Sequence, residues 1–210
     1  MTNNTLGISN RISVSILSTA IEQYLLSGQL DINYLTEQLR TEYTGELRLK
    51  KAVSQIRSIF FENPIFGFVN DHKTELLQAL GQNVDRNIIA IAFFAAKSSF
   101  CYDTIFHLGK LFHVEDYISS ATLTNKLGFK YGNNKNMSNT IYMVVPSLVE
   151  AGFFSRPKPG LYKAEDPLRA TYPITLQIWK EAFSANNPLF PRDNNDLLST
   201  EPFMQFVKMK

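Results

Sequence analysis

Between Ser119 and Lys163, six cations stand against a single acid. Lys126, Lys130, Lys135, Arg156, Lys158 and Lys163 are balanced only by Glu150, which gives the stretch a net charge of +5. Residues 1–118 carry −2 and residues 164–210 carry −1, so the whole 210-residue chain sums to +2. Cations concentrated in this way have the chemistry of a polyanion-binding surface, because they neutralise phosphates and release the counterions condensed there. Among them lie Asn136, Ser138, Asn139, Thr140 and Tyr142. Side chains of these types can hydrogen-bond to base edges or to phosphates. Arg156 and Lys158 sit in "SRPKPG", where Pro157 and Pro159 restrict the backbone and reduce the freedom lost on docking. The bland alternative is a solvated basic face with no partner.

Other chemistries find little support. His72, His107 and His113 form no i, i+4 pair and no H-E-x-x-H, and one cysteine cannot build a thiolate zinc site. Asp103 and His107, four residues apart, suit a structural hydrogen bond. Glu115-Asp116 and Glu165-Asp166 are adjacent pairs whose side chains diverge. There is no Walker loop, no G-x-G-x-x-G and no G-x-S-x-G. No catalytic residue, metal site or cofactor is expected. Cys101, alone and within an apolar helix, reads as buried and inert and allows no internal disulfide. "MTNNTLGISNRIS" lacks a basic region followed by an apolar run, so it does not read as a secretory signal. The most apolar stretch, "NIIAIAFFAA", is about ten residues, too short to span a bilayer. The expectation is a soluble cytoplasmic protein with no membrane partner.

The elements that must position these residues are mainly helical. Ile12, Ile16, Leu17, Ala20, Ile21, Tyr24 and Leu25 recur at helical spacing and stop at Gly28. Asp31 is a suitable N-cap for a second helix with Ile32, Leu35 and Leu39 on one side. A third helix carries Leu49, Val53, Ile56 and Phe60 inward and ends near Asn63-Pro64. Its cations Arg48, Lys50, Lys51 and Arg57, with Gln55, offer a second basic cluster. A solvated face is the favoured reading there, since Glu46 precedes Lys50 by four residues, a favourable ion-pair order. "ENPIFGFVND" reads as a break. Helices follow at 71–81, 86–97 and 99–113, the middle one apolar almost all round and therefore central. No strand alternation precedes residue 150. The proline-containing tail after Ser184 is expected to wrap the surface.

From Glu115 the order becomes helix, turn, helix, β-hairpin. "EDYISSATLTNKLGF" predicts a short helix, and "KYGNNKN" a turn longer than the three or four residues usual between two such helices. "MSNTIYMVVPSLVEAGFF" predicts a helix with Ser138 as N-cap and Ile141, Val144, Val145, Leu148 and Val149 inward. Pro146 predicts a kink or a later start. This order resembles a winged helix-turn-helix, most sharply in "LVEAGFFSRPKPGLY", where Leu148, Gly152, Phe153, Gly160 and Tyr162 match the family's helix end, wing tip and return strand. The resemblance covers about 115–166. It implies double-stranded DNA as partner, with Asn139, Thr140 and Tyr142 near base edges and Lys130, Lys135, Arg156 and Lys158 on phosphates. Lys126, Asn136, Ser138 and Lys163 complete the expected surface. The alternative is a protein-binding adaptor that uses the same fold.

Taken whole, the chain resembles the BrxA-like proteins of BREX bacteriophage-defence systems. The carriers are its size, "IEQYLLSGQLDINYLTEQLR", the basic "RLKKAVSQIRSIFF", the apolar central helix and "LVEAGFF". That resemblance implies a non-enzymatic DNA-binding accessory working beside larger phage-defence proteins. The expected architecture is mainly α. An N-terminal helical bundle over 1–113, with a break near 63–70, precedes the winged helix-turn-helix over 114–166. A C-terminal helix and tail fill 167–210.

Overall fold

The computed structural model describes Ile8 and residues 11–132, 135–191 and 194–210. The described residues are mainly helical, with five short strands. Helix α1 (Val14–Ser27) stops at Gly28, and α2 (Ile32–Arg40) begins where the Asp31 side chain accepts from the Tyr34 N–H. Helix α3 (Glu46–Phe60) ends before Asn63-Pro64. Where the sequence predicts a break, a six-residue helix α4 (Phe66–Asp71) forms. The segment before it is tied down rather than loose: the buried Asn63 amide donates to the carbonyls of Ile59 and Phe93. Helices α5 (Lys73–Leu80), α6 (Asn83–Lys97) and α7 (Ser99–Phe112) follow close to their expected spans. Helix α6 is central as expected, with Ile88 to Ala96 all buried.

The next segment corrects two expectations. Tyr117–Ser119 is a strand, β1, not the start of a helix. Helix α8 spans Ser120–Tyr131 and α9 spans Lys135–Glu150, so only the three residues 132–134 connect them. The connection therefore has the length usual between two such helices. Asn133 and Asn134, on which the anticipated turn partly falls, lie outside the described residues. Helix α9 is continuous through Pro146. It closes in a Schellman arrangement: Gly152 has φ +86°, its N–H reaches the Val149 carbonyl, and the Phe153 N–H reaches Leu148. Strands β2 (Phe154–Lys158) and β3 (Leu161–Ala164) form the hairpin. The sheet is antiparallel in the order β1-β3-β2, with Ile118 opposite Tyr162 and Phe154 opposite Ala164.

The tail is not a surface wrap. Strand β4 (Leu168–Ala170) leads into α10 (Pro173–Asn186), which packs along α6. After α11 (Asn195–Ser199), the chain turns inward, and β5 (Val207–Met209) pairs in parallel with β4. Phe203 is fully buried and stacks on Trp179, with centroids 4.1 Å apart. The tail crosses α7 so closely at Gly109 that a Cβ there would collide with the Pro202 carbonyl oxygen.

One buried acid joins α6 to α10. Asp85 is fully buried in the first turn of α6. Its carboxylate accepts the backbone N–H groups of Thr171 and Tyr172 and, at 2.6 Å, the Thr175 hydroxyl. These donors lie at the start of α10, where no earlier turn of helix can satisfy them and where a negative charge is favoured. Among the described residues, no single helix is long and apolar enough to cross a membrane; α6 and α7 meet at a bend of 116°.

Candidate nucleic-acid interface

Helix α9 sorts its residues by face. Met137, Thr140, Ile141, Val144, Val145, Ser147 and Leu148 are buried, while Lys135, Asn136, Asn139 and Tyr142 are exposed. At 100° per residue, Lys135, Asn139 and Tyr142 fall on one stripe. Tyr142 is 60% exposed, a large ring turned outward beside these polar residues. Thr140 is a correction: it faces the core, and its hydroxyl donates to the Asn136 carbonyl, so it is withdrawn from any base edge. Ser138 lies half-buried inside the helix rather than at its N-cap, because the helix begins at Lys135.

Helix α8 is fixed at both ends. At its start, the Ser119 hydroxyl accepts the Thr122 N–H, and the Ser120 N–H donates to the Gly160 carbonyl. Gly160, at φ +78°, is the tip of the hairpin. That bond seats the hairpin tip beside the start of α8. At the other end, Asp103 of α7 receives the Tyr131 hydroxyl and the Lys130 ammonium, the latter at 2.7 Å. Burial, and then that hydrogen bond, push the Tyr131 hydroxyl's pKa up. The expected Asp103–His107 bond is replaced by this contact. Burial pushes His107 down, and Asp103 opposes that shift. Lys130 is therefore held against α7, and Lys126, also exposed, is near enough to His107 to affect it.

The hairpin divides its cations between two faces. Side chains alternate along a strand. Phe154, Tyr162 and Ile118 are buried on the inner face, and Phe154 and Tyr162 meet edge to face at 5.4 Å. Arg156 follows Phe154 by two residues and joins α9 residues in lining one cleft. Burial raises the Tyr162 pKa, and the Arg156 charge opposes that shift. Lys163 takes the other face. It lies opposite Tyr117 and Ser155, with Glu165 at 3.8 Å. Lys158, Pro157 and Pro159 are exposed around the tip.

The structure thus brings together Lys135, Asn136, Asn139 and Tyr142 on α9, and it brings Arg156 to the C-terminal half of the same helix. Lys130 is held against α7, Lys126 is exposed one turn before it on α8, and Lys163 lies on the outer face of the sheet. The strip continuous in sequence is not one continuous face. Sequence reasoning missed Arg11. Its Nη2 donates to Glu150 Oε2 at 2.6 Å, and Glu150 Oε1 also accepts the Val14 N–H at 3.0 Å. The lone acid of the basic stretch caps α1, a relation with no local signal. In α3, Arg48, Lys50, Lys51 and Arg57 are exposed, whereas Gln55 is buried. Glu46 pairs with Arg40 at 2.6 Å instead of with Lys50. Cys101 is buried, as expected, and burial pushes its thiol well up. Among the described residues, no group of three His, Cys, Asp or Glu is placed to hold a metal ion. Comparisons with protein-family models, curated proteins and solved structures find no match.

Proposed function

We propose that α7 through β3 form a winged helix-turn-helix and that the protein binds duplex DNA without catalysing a reaction on it. One observation carries this reading. The order helix, strand, helix, helix, hairpin, with sheet order β1-β3-β2, leaves an outward polar and cationic stripe on α9 beside a hairpin bearing Arg156 and Lys158. Helix α9 fits the role of the major-groove helix, with Asn139 and Tyr142 toward base edges. Lys135, Arg156 and Lys158 suit phosphates on either side. In a phage-defence setting, such a protein would serve as an accessory to larger components, a role supported by resemblance of sequence.

Fluorescence anisotropy of a labelled duplex, titrated at several salt concentrations, tests the reading. Three to four neutralised phosphates give a log–log slope of roughly −3. Replacing Arg156 and Lys158 together by Ala flattens it by up to about two units. Absence of duplex binding at low salt favours the adaptor reading. That alternative draws its support from Phe129, 89% exposed on α8, and Val114, 79% exposed just before β1.

A further inference from the structure

Arg11 and Arg156, far apart in sequence, line one cleft of about 260 Å³. Its remaining walls are Val145, Pro146, Val149 and Glu150 of α9. The first three offer no side-chain hydrogen-bonding group. The backbone carrying Arg11 is pinned beside the helix. The Tyr43 hydroxyl donates to the Arg11 carbonyl at 2.6 Å, and the buried Ser147 hydroxyl donates to the Ile12 carbonyl at 2.5 Å. Glu150 is already engaged by Arg11 and by the N–H groups of Val14 and Ser15. Two guanidinium groups against one engaged carboxylate leave the cleft positive. Arg11 has five N–H donors and uses one of its nitrogens on Glu150, so donors remain for a second anion. Among the described residues, Arg156 has no carboxylate within ion-pair distance.

We propose that this cleft takes one deoxyribose of a duplex strand on its apolar floor, with the flanking phosphates on Arg11 and Arg156. The inference rests on the DNA-binding reading above and extends it to the segment before α1, which contributes a phosphate contact from outside the basic stretch. An apolar floor between two cations matches a sugar–phosphate backbone, which alternates a largely apolar ring with full negative charges. It matches a free phosphate poorly, since that ion would leave the floor empty. Because Tyr43 and Ser147 hold the Arg11 backbone in place, less freedom is lost on docking.

The test compares wild type, Arg11→Gln and Arg11→Lys on the same duplex, with thermal midpoints recorded for each. The Arg11→Gln slope is expected to be shallower by about 0.9, the value of one lost phosphate contact. Arg11→Lys, which keeps the charge, restores the wild-type slope; because Lys also keeps the pair with Glu150, the resonances of Arg11 separate a phosphate contact from a role confined to that pair. On wild type, the arginine Nε–H resonances of Arg11 and Arg156 should shift together with duplex. They should stay in place with inorganic phosphate at the same phosphate concentration. An Arg11→Gln protein that binds with the wild-type slope overturns the cleft and leaves the DNA reading standing. Shifts produced equally by inorganic phosphate identify a free-anion site and also overturn it. A wild type that binds no duplex overturns both. Should Arg11→Gln fail to fold, the resonance experiment on wild type still decides.

Discussion

Around Asp85 the polar groups are answered within the protein, whereas along the outer face of α9 they are not. Three donors from the start of α10 converge on the fully buried Asp85 carboxylate. Among the described residues, Asn139 and Tyr142 make no side-chain hydrogen bond to the rest of the chain, though α9 is packed along its other side. Both regions are built on helices with firm cores, so looseness does not account for the difference. A buried polar group without a partner costs free energy, so the core selects for closure. An exposed group has water, and what it does instead is available to a ligand. Function is therefore sought where the fold is well supported and the outward chemistry is left open.

The Asp85 junction is the costliest place to disturb this closure. Asp85→Ala removes the acceptor from the N–H groups of Thr171 and Tyr172 and the Thr175 hydroxyl. Leaving the buried Thr175 hydroxyl without its acceptor costs about 1–3 kcal/mol, and the two partly buried N–H groups add less each, so a total loss of roughly 3 kcal/mol is expected. Urea denaturation measures it. Asp85→Asn keeps the size and one acceptor and should recover part of the loss. An Asp85→Ala protein within about 1 kcal/mol of wild type would show that the α6–α10 junction does not depend on this carboxylate.

How much of this was legible depends on the range over which each feature is encoded. Gly28, Asp31 and the apolar run from Ile88 to Ala96 act on their own neighbours, and the helices they mark stand where the spacing predicts. Gly152 and Gly160 likewise mark the α9 end and the hairpin tip. The polar stripe of α9 was legible except at Ser138, which is inside the helix instead of capping it, and at Thr140, which lies one turn before Val144 and so shares the buried stripe. Strand β1 escaped because Tyr117, Ile118 and Ser119 are too few to show alternation, and β3 is what makes them a strand. The buried tail escaped because its prolines read as loop, whereas Phe203 finds Trp179 across a long stretch of chain. Asp85 on the start of α10, Glu150 on the start of α1 and Lys130 on Asp103 all join residues far apart in sequence. A single chain read locally carries no sign of such pairings. The same reason explains why a charge total for residues 119–163 could not tell which cations share a face.

Adjacent positions on α9 sharpen the comparison at smaller energies. Asn139→Ala should leave stability within about 0.5 kcal/mol, since the side chain is exposed, yet weaken duplex binding by about 1–2 kcal/mol if the amide reads a base edge. Thr140→Ala should do the reverse. It removes a buried methyl and a hydroxyl bonded to Asn136, for a loss of roughly 1 kcal/mol of stability, with binding per folded molecule unchanged. Paired urea and anisotropy measurements decide between these outcomes. Equal effects of the two substitutions on binding would mean that α9 does not present the face described.

The smallest expected effect is at α3, and its smallness makes it informative. Lys50 and Arg57 are exposed cations, as Arg156 and Lys158 are, and they line a groove between α2 and α3. By charge alone, the two regions are equivalent. They differ in what surrounds the charge. No hairpin flanks the α3 groove, and Arg40 on its border is engaged by Glu37 and Glu46 at 3.1 and 2.6 Å. Lys50→Gln combined with Arg57→Gln should therefore leave the salt slope of duplex binding unchanged. Affinity should fall by less than twofold, from the weakened long-range field that a screening length of about 8 Å permits. A slope reduced by about two units would place α3 on the phosphates and make binding a matter of total positive charge. An unchanged slope, set beside the flattening expected for Arg156 and Lys158, would trace it to the arrangement of α9 and its hairpin.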